Sequence, residues 1–303
     1  MNKEFFRKKI LELKQRRQAA ILVHNYQRPE IQDLADFLGD SLDLARRARS
    51  LDNPVIVFCG VHFMAESAAL LAPDKTVLLP HPDAGCPLAD CATPEMVREA
   101  RRAHPDAVVV AYINTSAAVK AEVDITCTSA NAIHILSQFK DREIIYLPDK
   151  NLAEYAARTC DLNIIRWPGQ CYVHDALIDA GTVRNLKTEH PEAVVMAHPE
   201  APMSVLDEAD VVTGTSGMMR HARQSQSRQF IVVTETGLTH RMRREIPGKE
   251  FIPVPGAICA QMKLTTLETL YEALRDMQHH ITVPDPVAGG ARRALERMLE
   301  LSV

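Results

Sequence analysis

Short runs of β-branched and aliphatic residues recur along the chain, separated by stretches in which apolar positions return every three to four residues. Brief apolar runs bounded by turn formers read as buried strands, and the 3.6-residue pattern between them reads as helix, so the alternation predicts βαβ units and parallel sheets. Four runs appear three times. The first set is Ile21-Leu22-Val23, Asp36-Phe37-Leu38, Val55-Ile56-Val57-Phe58 and Thr76-Val77-Leu78-Leu79. The second is Val108-Val109-Val110-Ala111, Asp124-Ile125-Thr126, Ile144-Ile145-Tyr146 and Asn163-Ile164-Ile165. The third is Val194-Val195-Met196, Asp210-Val211-Val212, Ile231-Val232-Val233 and Glu250-Phe251-Ile252.

Apolar strands alone align with almost anything, so the period is tested on polar residues. His24, Tyr112 and His198 are separated by 88 and 86 residues. The same two intervals relate Tyr26, Asn114 and Glu200, then Asp36, Asp124 and Asp210, then Ser41, Ser129 and Thr215. Each repeat closes on a turn rich in Pro and Gly that delivers a cysteine, Cys86, Cys171 or Cys259. Polar anchors just past strand ends fall where open parallel sheets present ligands. The expected fold is α/β: three small αβα sandwich domains with parallel sheets, related by a pseudo-threefold axis around a central active site. The expected boundaries are an N-terminal helix at 1–19, repeats with linker helices at 20–104 and 105–190, a third repeat at 191–262, and C-terminal helices at 263–303. The linkers are the helical stretches Pro94 to His104 and Asp175 to His190.

Composition narrows the class. With 303 residues, 46% hydrophobic and 24% charged, the chain is globular and long enough for several cores. A net charge of -4 gives no basic footprint for nucleic acid or anionic membranes. The charged N-terminus reads as an amphipathic helix with no signal peptide, and no long apolar run suggests a membrane span, so a cytoplasmic protein is expected. Seven cysteines are a poor disulfide framework in such a chain. Cys59, Cys127 and Cys160 read as core thiols, and Cys91 as a spare ligand or a bystander.

Three cysteines at equivalent places of a threefold assembly would converge on its axis. Iron–sulfur cubanes are normally tied by four cysteines, so three would leave one iron open as a Lewis acid. Zinc with three cysteines and a water satisfies the same pattern. Ser41, Ser129 and Thr215 precede helical sequence, where a hydroxyl is either an ordinary N-cap or part of a neutral anion cradle. His24, Tyr26, Tyr112, Asn114, His198 and Glu200 supply the donors and acceptors of acid–base chemistry on a small anionic substrate. His62, Lys150 and Thr236 share the period, with Met64 and Glu235 nearby, and rank below these.

The stretches VHNYQRPEIQDLADFLGDSLDLARRA, VFCGVHFMAES, AGCPLAD, VAYINTSAAVKAEVD, TSANA, LPDKNLAEY, WPGQCYVHD, AHPEAP and GTSGM, together with the run around Cys259, span nearly the whole chain. In them the chain resembles the quinolinate synthases. The resemblance implies condensation of iminoaspartate with dihydroxyacetone phosphate, with loss of phosphate and water, to give quinolinate in de novo NAD biosynthesis. It implies a 4Fe-4S cluster on Cys86, Cys171 and Cys259 with one open iron. It carries substrate-binding roles to His24, Ser41, Tyr112, Asn114, Ser129, His198, Glu200 and Thr215, and makes Tyr26, Tyr112, His198 and Glu200 the expected catalytic groups. Functional coupling to an aspartate oxidase or aspartate dehydrogenase would supply the imine. Cys259 stands alone, without the cysteine-rich run of some members, and His24-Asn25-Tyr26 has one tyrosine where many have two. The alternatives are a cluster-dependent hydratase, a redox sensor or electron carrier, and a zinc-binding structural protein.

Overall fold

The computed structural model describes residues 3–302, and its strands form three separate four-stranded sheets. The first contains β1 (Ala19–His24), β2 (Phe37–Gly39), β3 (Val55–Cys59) and β4 (Thr76–Leu78), in the order β2-β1-β3-β4. The second contains β5 (Val108–Tyr112), β6 (Ile125–Cys127), β7 (Ile144–Leu147) and β8 (Ile164–Arg166), ordered β6-β5-β7-β8. The third repeats it as β10-β9-β11-β12, from β9 (Val194–Ala197), β10 (Val211–Val212), β11 (Gln229–Val233) and β12 (Glu250–Pro253). Every strand pair is parallel. The chain is thus α/β, with three small sandwiches of one topology, as the threefold pattern predicts.

The central strands β1, β3, β5 and β7 are buried at every position, which is why they read as continuous apolar runs rather than as alternation. In each sheet the first strand lies between the second and third, so the connections leave its carboxyl end in opposite directions. A crevice opens at that switch point, and parallel sheets bind ligands there.

One repeated anchor turns out to be a structural lock. Asp36, Asp124 and Asp210 sit just before the second strand of each sheet. Their carboxylates accept the backbone N–H of Ile21, Val109 and Val195, each at 2.8 Å. The same aspartates donate their own N–H to the carbonyls of those residues at 2.9–3.0 Å. A side-chain acceptor thus fixes the register between first and second strands three times over.

The first two units share one hydrophobic core, closed by the helix Asp285–Leu301 through Ala291, Leu295 and Met298. Gly290 lets this helix approach closely, because a Cβ there would lie 2.9 Å from the Ala121 carbonyl oxygen. Helices Lys3–Arg17 and Leu267–Asp276 pack together over the other face of the first sheet. The third unit has its own clusters, one of them extended by Val173, Ile178, Val183 and Leu186 of the preceding segment. That segment departs from expectation. It is two helices, Tyr172–Ala176 and Ala180–Glu189, because the Asp179 carboxylate accepts the Thr182 N–H at 3.0 Å and starts a new helix. Cys160 also departs, being only half-buried at the end of helix Lys150–Cys160, whereas Cys59 and Cys127 are core thiols. Among the described residues no helix is long and apolar enough to cross a membrane.

Asp210 forms no ion pair among the described residues, so it isolates the register lock. Asp210→Ala should lower the free energy of unfolding by about 1 kcal/mol, measured by urea titration, with Asp210→Asn losing less. Equal midpoints for wild type and Asp210→Ala would contradict the lock.

Candidate active site

The three crevices face one another across a single cavity, with about 770 Å³ of space not filled by atoms, part of it open to solvent. Its wall contains His24, Tyr26, Ser41 and Cys86 from the first unit, and Tyr112, Asn114, Ser129 and Cys171 from the second. From the third come His198, Glu200, Thr215 and Cys259. All twelve residues expected as binding, catalytic or ligand groups therefore meet, while the period-related Asp36, Asp124 and Asp210 stay off the wall. Among the lower-ranked positions, Met64 and Glu235 reach the wall, while His62, Lys150 and Thr236 do not. Lys150 lies 3.4 Å from Asp175 instead. Cys91 is off the wall, with its thiol donating to the Pro87 carbonyl at 3.3 Å.

The hydroxyls are not the helix caps that their positions suggest. Asp40 caps helix Ser41–Ser50 by accepting the N–H of Leu42 and Asp43, which leaves Ser41 as the first helical residue. Thr215 likewise opens helix Thr215–Gln224 behind Gly214. A Cβ at Gly214 would lie 2.8 Å from Ser129 Oγ, so glycine is what allows the second and third units to meet there. Thr215 Oγ1 accepts from Asn25 Nδ2 at 2.8 Å, and Asn25 Oδ1 accepts from Arg241 at 2.8 Å. Ser129 Oγ lies 3.1 Å from His198 Nε2. With those lone pairs engaged, both hydroxyls keep their own proton to donate into the cavity. Two helix N-termini add backbone donors beside Ser41 and Thr215.

His24 and His198 use the same geometry two period-steps apart. The Nδ1 of each faces the N–H of the residue two positions on, Tyr26 at 3.2 Å and Glu200 at 3.4 Å. That assigns the ring proton to Nε2, so His198 donates to Ser129. Burial pushes the His24 pKa down to about 3, with Lys263 and Arg241 acting in the same direction against Glu200. Burial, helped by His174 and His24 and opposed by Glu200, brings His198 to about 3 as well. Both rings are neutral donors near neutral pH.

Glu200 is the charged centre of the wall. Burial opposes its ionisation, but His174, His198 and the Tyr112 hydroxyl outweigh it and hold the carboxyl at about 2. His174 Nδ1 is 2.6 Å from Glu200 Oε2, off the line of an aligned hydrogen bond, and His174 stacks on His198 at 4.5 Å. The other oxygen, Oε1, has no hydrogen-bond partner among the described residues. On the far side of the ring, His174 Nε2 lies 2.9 Å from Thr234 Oγ1, and Thr234 Oγ1 lies 2.7 Å from the Tyr26 hydroxyl. A relay of hydrogen bonds thus joins Tyr26, Thr234 and His174, whose ring ends against Glu200. Burial, reinforced by Glu200, raises the Tyr26 and Tyr112 pKa values well above the usual phenol value, so both phenols keep their protons.

His174, Thr234 and Asn25 were not among the sequence candidates. The period favours residue types that recur, and the positions equivalent to His174 are Ala89 and Met262. Its spacing of three from Cys171 was the available signal.

The thiols form a coherent donor set. Cys86 faces the N–H groups of Ala89 and Leu88, Cys171 that of His174, and Cys259 those of Met262 and Gln261. Such N–H donors stabilise sulfur carrying negative charge. In the bare protein burial opposes that charge, raising Cys86 to about 12 and Cys171 and Cys259 upward too. Three half-buried cysteines on the cavity wall, with ready amide donors, fit an iron–sulfur cluster. Cys171, His174 and Glu200 also lie within 4.8 Å of one another as a potential mononuclear set. Metal binding there would take His174 from its relay.

Three parallel α/β units closing on one pocket of neutral donors, a buried carboxylate and thiols define an α/β protein with a candidate small-molecule site and a side-chain set that could hold a metal ion. Comparison with known proteins makes this specific. The family model described as quinolinate synthetase A protein matches residues 8–300. The chain is 51% identical over 293 residues to the quinolinate synthase of Methanoregula boonei, covering 96% of this chain and 97% of that protein. It is 50% identical over 294 residues to that of Desulforudis audaxviator, with coverage of 96% and 97%. A quinolinate synthase of Geobacter sp. strain M21 is 47% identical over 302 residues, covering 99% of each. The chain belongs to the quinolinate synthetase A family.

The buried histidines make stability depend on pH. An unfolded imidazole binds a proton below about pH 6.5, whereas His24 and His198 resist one until about pH 3. The unfolded chain therefore binds more protons across that window. Stability should be full above pH 6.5 and fall as pH drops, by up to about 1.4 kcal/mol per unit for each ring. Thermal melts at pH 7 and pH 5 should differ less for His24→Gln than for wild type. Parallel behaviour of the two proteins would contradict the neutral assignment.

Proposed function

We propose that the chain is a quinolinate synthase that condenses iminoaspartate with dihydroxyacetone phosphate, releasing phosphate and water, in cytoplasmic de novo NAD biosynthesis. In this reading Cys86, Cys171 and Cys259 hold a 4Fe-4S cluster with one open iron. The observation that carries it is the convergence of one cysteine per unit on a wall of neutral anion donors around the Glu200 carboxylate. Family membership supports the reaction, and the amide-ringed thiols support the cluster. When bound, the cluster would supply a Lewis-acidic iron that polarises a substrate oxygen.

The protein groups divide the remaining work. Ser41, Ser129, Thr215 and the adjoining helix N-termini bind phosphate and carboxylates through neutral donors. His24 and His198 contribute Nε2–H donors, so His198 serves orientation rather than proton transfer. Asn114 adds amide hydrogen bonds. The Tyr26 hydroxyl, held by Thr234 at 2.7 Å, gives a proton to a departing oxygen and recovers one that the substrate carbon or nitrogen releases as the new bond forms, while Glu200 beside His174 is the acceptor nearest that proton's path. Tyr112, beside Glu200, is the second phenol able to protonate a leaving oxygen. Closure by apolar Phe63, Met64 and Met262 limits water near the reactive imine.

A zinc centre on Cys171, His174 and Glu200 is the second reading, favoured by their mutual proximity. It gives no role to Cys86 or Cys259.

Anaerobically purified protein given both substrates should form quinolinate, and Cys86→Ser, Cys171→Ser and Cys259→Ser should each lose the brown absorbance and the activity. Cys59→Ser should keep both; loss in Cys59→Ser with retention in the other three would overturn the ligand assignment. Tyr112→Phe should retain the absorbance yet lose about 10²–10⁴-fold in kcat. Normal turnover by that variant would make Tyr112 a structural residue.

A further inference from the structure

The proposed chemistry leaves two buried acids unused. Asp149 and Glu235 lie 86 residues apart, at the same place in the second and third units, just past β7 and β11. Neither exposes any surface. Each directs one oxygen to its own turn: Asp149 Oδ1 accepts from Leu152 N–H at 2.8 Å, and Glu235 Oε2 from Gly237 N–H at 2.7 Å. The other oxygen reaches a cysteine. Asp149 Oδ2 accepts from Cys171 N–H at 3.3 Å, and Glu235 Oε1 from Cys259 N–H at 3.2 Å.

The surroundings hold both acids in place. The Asp149 backbone pairs with Gly169, two residues before Cys171, and Lys150 N–H donates to the Gly169 carbonyl at 2.8 Å. A Cβ on Gly169 would lie 2.5 Å from the Pro148 carbonyl oxygen, so the cysteine loop is pressed against the strand end that carries Asp149. Glu235 Oε1 also lies 2.8 Å from Lys263 Nζ, which donates in turn to the Tyr26 carbonyl in the first unit. The first unit has Val61 at the equivalent place. There the amide beside the cysteine, Gly85 N–H, is taken at 3.1 Å by Gln261, two residues past Cys259. Each cysteine loop therefore has a side-chain acceptor at or next to the cysteine amide. Only a carboxylate has an acceptor oxygen for both sides; an amide would turn its NH2 against one of the two N–H donors.

We infer that Asp149 and Glu235 are positioning residues, which fix the direction of the Cys171 and Cys259 sulfurs by holding the cysteine N–H. The inference rests on the proposed cluster. Groups of this kind, one bond removed from a metal ligand, typically change metal affinity by about 10- to 100-fold when altered.

The test is the rate at which a chelator bleaches the anaerobically purified holoprotein, together with the EPR spectrum of the reduced cluster. Asp149→Asn and Glu235→Gln preserve shape, and each should bleach at least about tenfold faster than wild type with a shifted EPR signal. Asp179→Asn, an exposed helix cap, should match wild type. Wild-type bleaching rates and spectra in both shape-preserving variants would overturn the inference while leaving the cluster intact. A variant that does not fold would overturn it in favour of a purely structural role. A wild-type protein without iron and sulfide would overturn the cluster reading and this inference together.

Discussion

The parallel pairing of the first and third strands in each sheet is the constraint on which the rest depends. With the second strand on the other side of the first, the backbone leaves the carboxyl end of the sheet in two directions and cannot fill the space between them. Repeating this arrangement three times produces three crevices with no filling of their own. Placing them mouth to mouth turns three shallow openings into one shared site, where each unit contributes only a few side chains. The register of every first strand matters accordingly, since a slip of one residue would turn His24, Tyr112 or the His198 segment away from the centre. The carboxylates of Asp36, Asp124 and Asp210 guard against that slip.

Burial then decides what each polar group can do. A cavity walled by charged donors would bind anions strongly but would be costly to desolvate, and it would perturb any negatively charged metal centre. Here the donors at Ser41, Ser129, Thr215, His24 and His198 are neutral, and the Glu200 carboxylate is held ionised with His174 and the Tyr112 hydroxyl beside it. Both phenols keep their protons for the same reason. The site is thus organised to accept anionic substrates without holding a fixed positive charge against the thiols.

The sequence made the three units, the strand runs and the twelve convergent residues legible, because selection for the same crevice left similar residue types at one period. Asp36, Asp124 and Asp210 were equally visible, although their work proved structural: a period reports equivalence of place, not of function. Asn25, His174 and Thr234 escaped because the site is only pseudo-symmetric. The relay runs across units, from Tyr26 of the first to Thr234 of the third and back to His174 of the second, and a repeat pattern carries no information about such crossings. The caps at Asp40 and Gly214 were missed for a local reason. A serine or threonine opening a helix looks the same in sequence at the cap and one residue inside it, and only the backbone conformation separates them.

The account's central claim is that the three cysteines converge to hold one cluster shared by all three units. Iron, zinc and acid-labile sulfide counted on the anaerobically purified wild-type protein test it most directly. The account predicts about four iron and four sulfide per chain and negligible zinc. Stoichiometric zinc, or iron without sulfide, would contradict it.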